Sequence, residues 1–242
     1  MMRVVIHRSA EAASRGLADF LARTLGREPA SVLGLPTGRT PVPLYAELTR
    51  LYRAGRVDFG HATTFNLDEF VGLGPRDRQS YHAFMRQHLF AHVNLAPERI
   101  EFLNGRARDW RKEAARYERR LVARGGLDLV ILGIGQNGHI GFNEPAPALE
   151  PRTHLVTLRP ATRRANAWLF DSAREVPRRA LSMGIGTILS ARGVVLLATG
   201  RSKAAIVRRA LDGPITTRVP ASLLQLHPNV VVVLDRDAAA KL

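Results

Sequence analysis

The sequence predicts an α/β fold: a three-layer α/β/α sandwich built around a mostly parallel, Rossmann-like sheet. Short apolar runs alternate along the chain with helical patterns, which is typical of a parallel sheet covered by helices on both faces. The strongest run, Leu127–Leu132, is almost continuously Leu, Val and Ile, as in strands buried on both faces. With 242 residues and no internal repeat or low-complexity linker, we predict a single domain over residues 1–242.

The individual elements follow from these two periodicities. The predicted strands, in chain order, are Val4–Ile6, Ser31–Leu35, Ala62–Phe65, Leu127–Leu132, Leu155–Leu158, Val194–Ala198 and Val230–Leu234. The predicted helices are Ala10–Leu25, Pro41–Ala54, Ser80–His92, Trp110–Arg124, Ala161–Phe170 and Ser202–Leu211. Proline and glycine cluster between elements, as at Gly72–Pro75, and mark turns.

The composition narrows the class of protein. Hydrophobic residues make up 45% and charged residues 24%, which is ordinary globular usage. With no cysteine, disulfides, thiolate metal sites and cysteine nucleophiles are excluded. His7, Arg8 and Glu11 interrupt the first apolar run, and no stretch is apolar enough to span a membrane, so we expect a cytoplasmic protein with no membrane partner.

The chain is strongly basic, with a formal net charge of +15. Such a charge suggests nucleic-acid binding, but the basic residues are scattered and no familiar nucleic-acid motif is present. Only Lys112, Lys203 and Lys241 are lysines, so the bias toward arginine resembles a coding preference more than a binding surface. We therefore expect no nucleic-acid partner, although such a field can attract anionic substrates.

Two strand-to-helix turns are candidate anion sites. The first contains Thr37, Gly38, Arg39 and Thr40 ahead of a helix opened by proline, where backbone N–H groups, hydroxyls and a guanidinium can bind phosphate. The second, Gly200 to Lys203, contains one of the few lysines. An ordinary capped turn is the alternative interpretation of the first segment, which matches neither a Walker A loop nor a dinucleotide fingerprint.

Two further segments supply candidate proton-transfer groups. Asp68 and Glu69 follow a predicted strand, and like charges side by side raise a pKa toward that of a general base, although a solvated turn or helix cap is the alternative. The loop after Leu132 contains spaced glycines and His139, whose ring Asn137 and Glu144 could orient. A structural histidine, with Glu144 as a cap or surface pair, is the alternative there.

Other catalytic classes lack their motifs. No G-x-S-x-G elbow and no HEXXH segment is present, and histidines with metal-ligand spacing are missing. We therefore predict no metal and no cofactor.

Five segments in this order resemble the glucosamine/galactosamine-6-phosphate isomerase family, which also contains the 6-phosphogluconolactonases. They are LGLPTGRTP, TFNLDEFVGL, GIGQNGHIGFNEP, SMGIGTIL and LQLHP, and they extend over nearly the whole chain. The GFNEP continuation after the Gly-His pair is similar to the deaminase branch rather than to the lactonases.

The resemblance implies an enzyme that converts glucosamine 6-phosphate and water reversibly to fructose 6-phosphate and ammonia. It implies ring opening by His139 supported by Asn137 and Glu144, proton transfer between C2 and C1 by Asp68, and phosphate binding by Thr37, Gly38, Arg39, Thr40 and Lys203. Alternatives are a 6-phosphogluconolactonase, a galactosamine-6-phosphate isomerase or a catalytically silent sugar-phosphate sensor. A homo-oligomer and the choice of epimer stay open.

Several positions depart from the family pattern. Asn137 stands where aspartate is common, Arg39 where glycine is common, and Trp168 where a phosphate-binding arginine is expected. We hypothesise that Arg39 supplies the guanidinium lost at Trp168. His154 and Val156 stand where some members have the basic residues of a site for N-acetylglucosamine 6-phosphate, so we expect no activation by that compound.

Overall fold

The structure, a computed structural model, describes residues 2–242 and contains two β-sheets. The main sheet consists of β1 (Met2–His7), β2 (Val32–Leu35), β3 (Thr63–Asn66), β5 (Ile100–Glu101), β6 (Leu129–Leu132), β9 (Gly193–Ala198) and β10 (Val230–Asp235). These seven strands are parallel and lie in the order β1, β10, β9, β6, β2, β3, β5. The smaller sheet is antiparallel, in the order β4 (Asp68–Phe70), β8 (Arg179–Ser182), β7 (His154–Thr157).

Helices cover both faces of the main sheet. They are α1 (Ala10–Arg27), α2 (Val42–Arg53), α3 (Tyr81–His88), α4 (Trp110–Ala123), α5 (Pro160–Asn166), α6 (Ile185–Leu189) and α7 (Ala204–Leu211). Helices α1, α2 and α3 share one hydrophobic core with the sheet, whereas α4, α6 and α7 share another on the opposite face. The predicted three-layer α/β/α architecture is confirmed.

Strand β6 shows how the sequence produces the two cores. Successive side chains of a strand point to opposite faces of the sheet. Accordingly Leu129 and Ile131 pack with α1 and α2, and Val130 and Leu132 pack on the other side. A strand with two buried faces needs apolar residues at every position, which explains its continuous apolar run.

Polar caps fix where three of the helices begin. The side chain of Ser9 accepts a hydrogen bond from Ala12 N at the start of α1. Ser80 and Asp109 accept equivalent bonds at the starts of α3 and α4. Each cap satisfies a backbone N–H that the first turn of a helix leaves without a partner.

Several elements differ from the sequence-based expectation. The predicted strand Leu155–Leu158 forms as β7 but belongs to the antiparallel sheet, and β4, β5, β8 and α6 were not predicted. These four elements are two to five residues long, too short to show a periodicity. The predicted helices Ser80–His92 and Ala161–Phe170 end earlier and continue as the 3₁₀ turns Phe90–His92 and Ala167–Leu169.

The topology creates a crevice at the centre of the main sheet. From β2 the chain proceeds through β3 to β5 on one side, whereas from β6 it proceeds through β9 to β10 on the other. Ligands of open parallel sheets bind outside the carboxyl ends of strands at such a reversal. The loops after β9, β6, β2 and β3, which are neighbours in the sheet, therefore meet at one edge. Within residues 2–242, no helix is long and apolar enough to cross a membrane.

Candidate active site

A cleft of about 550 Å³ lies at this edge of the sheet. Eight of the nine residues predicted for the site line it, from all four central loops: Thr37, Gly38, Arg39, Thr40, Asp68, Asn137, His139 and Lys203. Glu144 is buried behind Asn137 and does not line the cleft. The structure therefore brings together segments that are up to 166 residues apart in the sequence.

His139, Asn137 and Glu144 form a hydrogen-bonded chain. Asn137 Oδ1 lies 2.7 Å from His139 Nδ1, and Asn137 Nδ2 donates to Glu144 Oε2 at 2.7 Å. An ionised carboxylate only accepts hydrogen bonds, so it holds the amide with its nitrogen toward Glu144 and its oxygen toward His139. The amide oxygen in turn requires a proton on Nδ1 of the ring.

This tautomer leaves Nε2 of His139 with its lone pair. Burial lowers the pKa of His139, and the nearby Lys203 ammonium also lowers it, while Glu144 opposes both by raising it. The ring is therefore neutral near pH 7. A neutral imidazole with its orientation fixed from one side can accept and return a proton through Nε2.

Glycines in the loop after β6 are required by the packing of His139. A Cβ atom at Gly135 would lie 2.1 Å from His139 Cε1, so any side chain there would displace the ring. Gly138 has a φ of +90°, in the left-handed region that favours glycine. The spaced glycines that marked this loop in the sequence thus make room for the histidine.

Asp68 is the buried carboxyl group of the cleft. Its Oδ1 atom is buried and accepts no hydrogen bond from residues 2–242. Desolvation, with a smaller contribution from the neighbouring charge of Glu69, raises the pKa of Asp68 to about 8, while Thr37 acts to lower it. A carboxylate that is destabilised in this way is a stronger base than an exposed one.

Glu69 has a different role from its neighbour. Its carboxylate faces away from the cleft and accepts hydrogen bonds from the backbone N–H groups of Phe70, Tyr81 and His82 at 2.8 to 3.0 Å. Burial still raises the pKa of Glu69 to about 7. Glu69 thus fastens β4, which carries Asp68, to the beginning of α3.

The strand that carries Asp68 and the loop that carries His139 share an anchor in β8. Phe142 N donates to Ser182 Oγ at 3.0 Å, and Ser182 pairs with Asp68 across the small sheet. Asn143 Nδ2 donates to the carbonyl groups of Ile140 and Met183, at 2.9 Å each. The two candidate proton-transfer groups are therefore held in one frame.

The first anion loop lies at the carboxyl end of β2. Gly38 has a φ of +101°, and helix α2 begins just after the loop at Val42. Tyr45 reaches back from α2 and donates a hydrogen bond to the carbonyl of Pro36, which fixes the loop against its helix. Free N–H groups at a helix start, next to hydroxyl side chains, suit a phosphate group.

Lys203 approaches the cleft from the loop after β9. Its Nζ donates to the carbonyl of Ile134 at 2.7 Å, and burial lowers its pKa. An ammonium has three N–H donors, so Lys203 keeps two for a ligand.

Arg39 and Trp168 form a pair in the same cleft. The Arg39 guanidinium carbon lies 5.2 Å from the centre of the Trp168 ring, a cation–π arrangement. Trp168 packs in turn on Phe84 with ring centres 6.0 Å apart. The tryptophan thus supports the arginine in the loop that we predicted to bind phosphate.

Two residues that line the cleft were missed from the sequence. Tyr81 Oη donates to Asn166 Oδ1 at 3.0 Å, which joins the start of α3 to the end of α5. The residues are 85 positions apart, so no local pattern links them. Over residues 2–242, no group of three or more histidine, aspartate or glutamate side chains is arranged to hold a metal ion.

Known proteins similar to this chain agree with the geometry. Residues 7–233 match the family described as glucosamine-6-phosphate isomerases/6-phosphogluconolactonase. A glucosamine-6-phosphate deaminase of Rhodopirellula baltica is 50% identical over 96% of this chain and 92% of its own length. One from Halothermothrix orenii is 47% identical over the full length of both chains.

Solved structures give the same result. A structure described as a monomeric glucosamine-6-phosphate deaminase superposes with a TM-score of 0.97 at 45% identity, over the whole of both chains. A 6-phosphogluconolactonase of Trypanosoma brucei has a TM-score of 0.75 at 18% identity, which shows a shared fold alone. The chain therefore belongs to the glucosamine-6-phosphate isomerase/6-phosphogluconolactonase family.

Proposed function

We propose that this chain is a glucosamine-6-phosphate deaminase that converts glucosamine 6-phosphate and water to fructose 6-phosphate and ammonia. The observation that carries the proposal is a single cleft with two proton-transfer groups, Asp68 and His139, beside an anion-binding loop. The names of relatives 45–50% identical over nearly the full chain support the same activity.

The phosphate group of the sugar binds the loop of Thr37, Gly38, Arg39 and Thr40, together with Lys203. Backbone N–H groups and charged donors hold the group far from the reacting carbons. Fixing this end of a flexible substrate orients C1 and C2, which lowers the entropic part of the barrier.

Ring opening is the task of His139. Nε2 takes the proton of the C1 hydroxyl and delivers it to the ring oxygen as the bond between C1 and that oxygen breaks. Asn137 and Glu144 act as positioning residues, because they fix the ring and its tautomer through the 2.7 Å hydrogen bonds.

Asp68 performs the isomerisation of the open-chain sugar. Its carboxylate removes the proton on C2, which gives an enolamine, and returns that proton to C1, which leaves an imine at C2. Water adds to C2, and cleavage of the C2–N bond then releases ammonia and the ketone. The raised pKa of Asp68 suits a group that must take up a proton and return it.

The activity is tested by incubating purified protein with glucosamine 6-phosphate and measuring ammonia and fructose 6-phosphate. Galactosamine 6-phosphate and 6-phosphogluconolactone are assayed in parallel. We expect equal amounts of both products, and loss of both in Asp68→Asn and His139→Gln. Hydrolysis of the lactone alone would identify a lactonase, and binding without ammonia release a sensor.

A further inference from the structure

A second, smaller cleft lies against the catalytic loop and plays no part in the proposed reaction. Its volume is about 320 Å³, and it shares Asn137 with the first cleft. Its other walls are the turn Pro145–Pro147 and three arginines, Arg159, Arg209 and Arg218. These arginines come from three segments: the start of α5, the middle of α7 and the loop that follows α7.

The arginines of this cleft lack acidic partners. Within residues 2–242, no carboxylate lies within 4.0 Å of the three guanidinium groups, and no carboxylate lines the cleft. Arg209 and Arg218 make no side-chain hydrogen bond to another of the described residues, whereas Arg159 donates only to the carbonyl of Pro145. Three like charges around one cavity repel each other, and an anion between them removes that repulsion.

A second arginine-rich cleft, beside α5, lacks this property. Arg163 there already donates to three backbone carbonyl groups, and Glu175 lines the same cavity. Its charges are partly compensated within the protein.

The walls of the smaller cleft are tied together. Ala146 N donates to the carbonyl of Thr217 at 3.3 Å, and Thr217 Oγ1 donates to the carbonyl of Pro147, also at 3.3 Å. These bonds hold the turn after Glu144 beside the segment that carries Arg218. The cavity is therefore bounded by connected segments of the protein.

We propose that this cleft is a binding site for a small phosphate monoester, separate from the catalytic cleft. Guanidinium groups bind phosphate oxygens through paired N–H donors, and three of them converge here. The cavity has the size of a small-molecule site. No aromatic residue lines it, so it offers no stacking surface for nucleic-acid bases.

The site is connected to catalysis through Arg159. The backbone N of Arg159 donates to Glu144 Oε1 at 3.3 Å, and Glu144 holds Asn137, which holds His139. An anion that draws the Arg159 guanidinium away from Pro145 acts on the residue next to this carboxylate. Because coupling between two sites is reciprocal, substrate in the first cleft changes anion affinity in the second by the same factor.

The test counts bound inorganic phosphate by calorimetry and ³¹P NMR at low ionic strength. The variant is Arg209→Ala/Arg218→Ala, and the control is Arg208→Ala/Arg119→Ala, which removes equal charge at exposed positions outside the cleft. We expect the variant to bind one phosphate fewer than the control, with affinity at the cleft weakened about a hundredfold, or about tenfold per guanidinium. Thermal unfolding checks that both proteins are folded, and Arg209→Gln/Arg218→Gln replaces the variant if it is not.

The comparison does not depend on the proposed catalytic activity. If the catalytic cleft binds no phosphate, the expected count is one in the control and none in the variant. Equal counts and affinities in the two proteins would overturn the proposal. An equal loss in the control would also overturn it, because general charge rather than the cleft would then bind the anion.

Discussion

The pair of Arg39 and Trp168 gives the sharpest prediction about substrate binding. Arg39 stands in the phosphate-binding loop, and its guanidinium lies over the Trp168 ring at 5.2 Å. We expect Arg39→Ala to raise the KM for glucosamine 6-phosphate with little change in kcat. The phosphate is remote from the reacting carbons, so its contacts stabilise the bound substrate and the transition state equally.

The size of the effect follows from the exposure of the pair. A hydrogen bond to a charged group contributes about 1.5–3 kcal/mol, and because Arg39 is exposed to solvent we take the lower end, which gives about a tenfold rise in KM. The cation–π contact of an exposed arginine contributes about 0.5–1 kcal/mol. Trp168→Ala should therefore raise KM about two- to fivefold, by leaving the arginine less ordered.

An exchange of the two residues tests the compensation directly. The variant Arg39→Gly/Trp168→Arg moves the guanidinium to the position where the family pattern has it. We expect Arg39→Gly alone to bind substrate weakly and the exchange variant to recover most of the lost affinity. Steady-state kinetics of the single and double variants, measured at one ionic strength, give the coupling between the two positions.

Two results would refute this reasoning. If Arg39→Ala left KM unchanged, Arg39 would not bind the phosphate. If the exchange variant were no better than Arg39→Gly, a guanidinium at position 168 could not replace one at position 39, and the idea of compensation would fail.

Three further predictions concern the proton-transfer groups. Since Asp68 must be ionised to act as a base and its pKa is about 8, kcat/KM should rise about tenfold per pH unit up to roughly pH 8 and then level; an acid limb ending below pH 6 would contradict this. The folded pKa of Asp68 is raised, so the folded state keeps a proton that the unfolded chain releases near pH 4; the stability from this proton is lost as pH rises toward 8. Asp68→Asn should therefore gain thermal stability relative to the native chain by several degrees between pH 5 and pH 9, and a gain independent of pH in differential scanning calorimetry would refute it. Finally, Asn137→Asp should raise the pKa of His139 in an NMR titration because it adds a negative charge at the ring, whereas Gly135→Ala should lower kcat at least a hundredfold by displacing the ring, and an unchanged kcat would exclude that packing role.

Much of the cleft was predictable because its residues belong to compact sequence segments. Each of the four loops follows an apolar strand, and the carboxyl ends of parallel strands share one edge of the sheet. The position of Glu144 was harder to predict, since the sequence suggested that it could orient His139 but not that Asn137 stands between them. The order of the three groups depends on the path of the loop, in which Gly138 and Gly141 adopt positive φ angles.

The parts that escaped prediction depend on contacts between distant segments. Ser182 and Tyr81 become important only because the antiparallel sheet and α3 pack against the catalytic loop. The strands of that sheet are three or four residues long, so tertiary pairing decides their conformation. Only Asn143, within the segment GFNEP, had a recognisable signal, because it lies in a motif on which the family resemblance rested.

The environment of His139 connects these observations. A carboxylate directly on Nδ1 would favour the imidazolium, whereas the neutral amide of Asn137 transmits the orientation imposed by Glu144 without placing a full charge on the ring. Burial and Lys203 lower the pKa of His139 further, so the ring enters the reaction as a neutral base. Lys203 also donates to Ile134 in the same loop, and therefore the predicted phosphate anchor and the predicted ring-opening base are linked by one side chain. A phosphate bound to Lys203 partly neutralises the ammonium and should raise the pKa of His139, which would make protonation of the ring easier when substrate is present. An NMR titration of His139 with and without inorganic phosphate tests this: we expect an upward shift in the native chain and none in Lys203→Met, and a shift of equal size in both proteins would show that the linkage does not pass through Lys203.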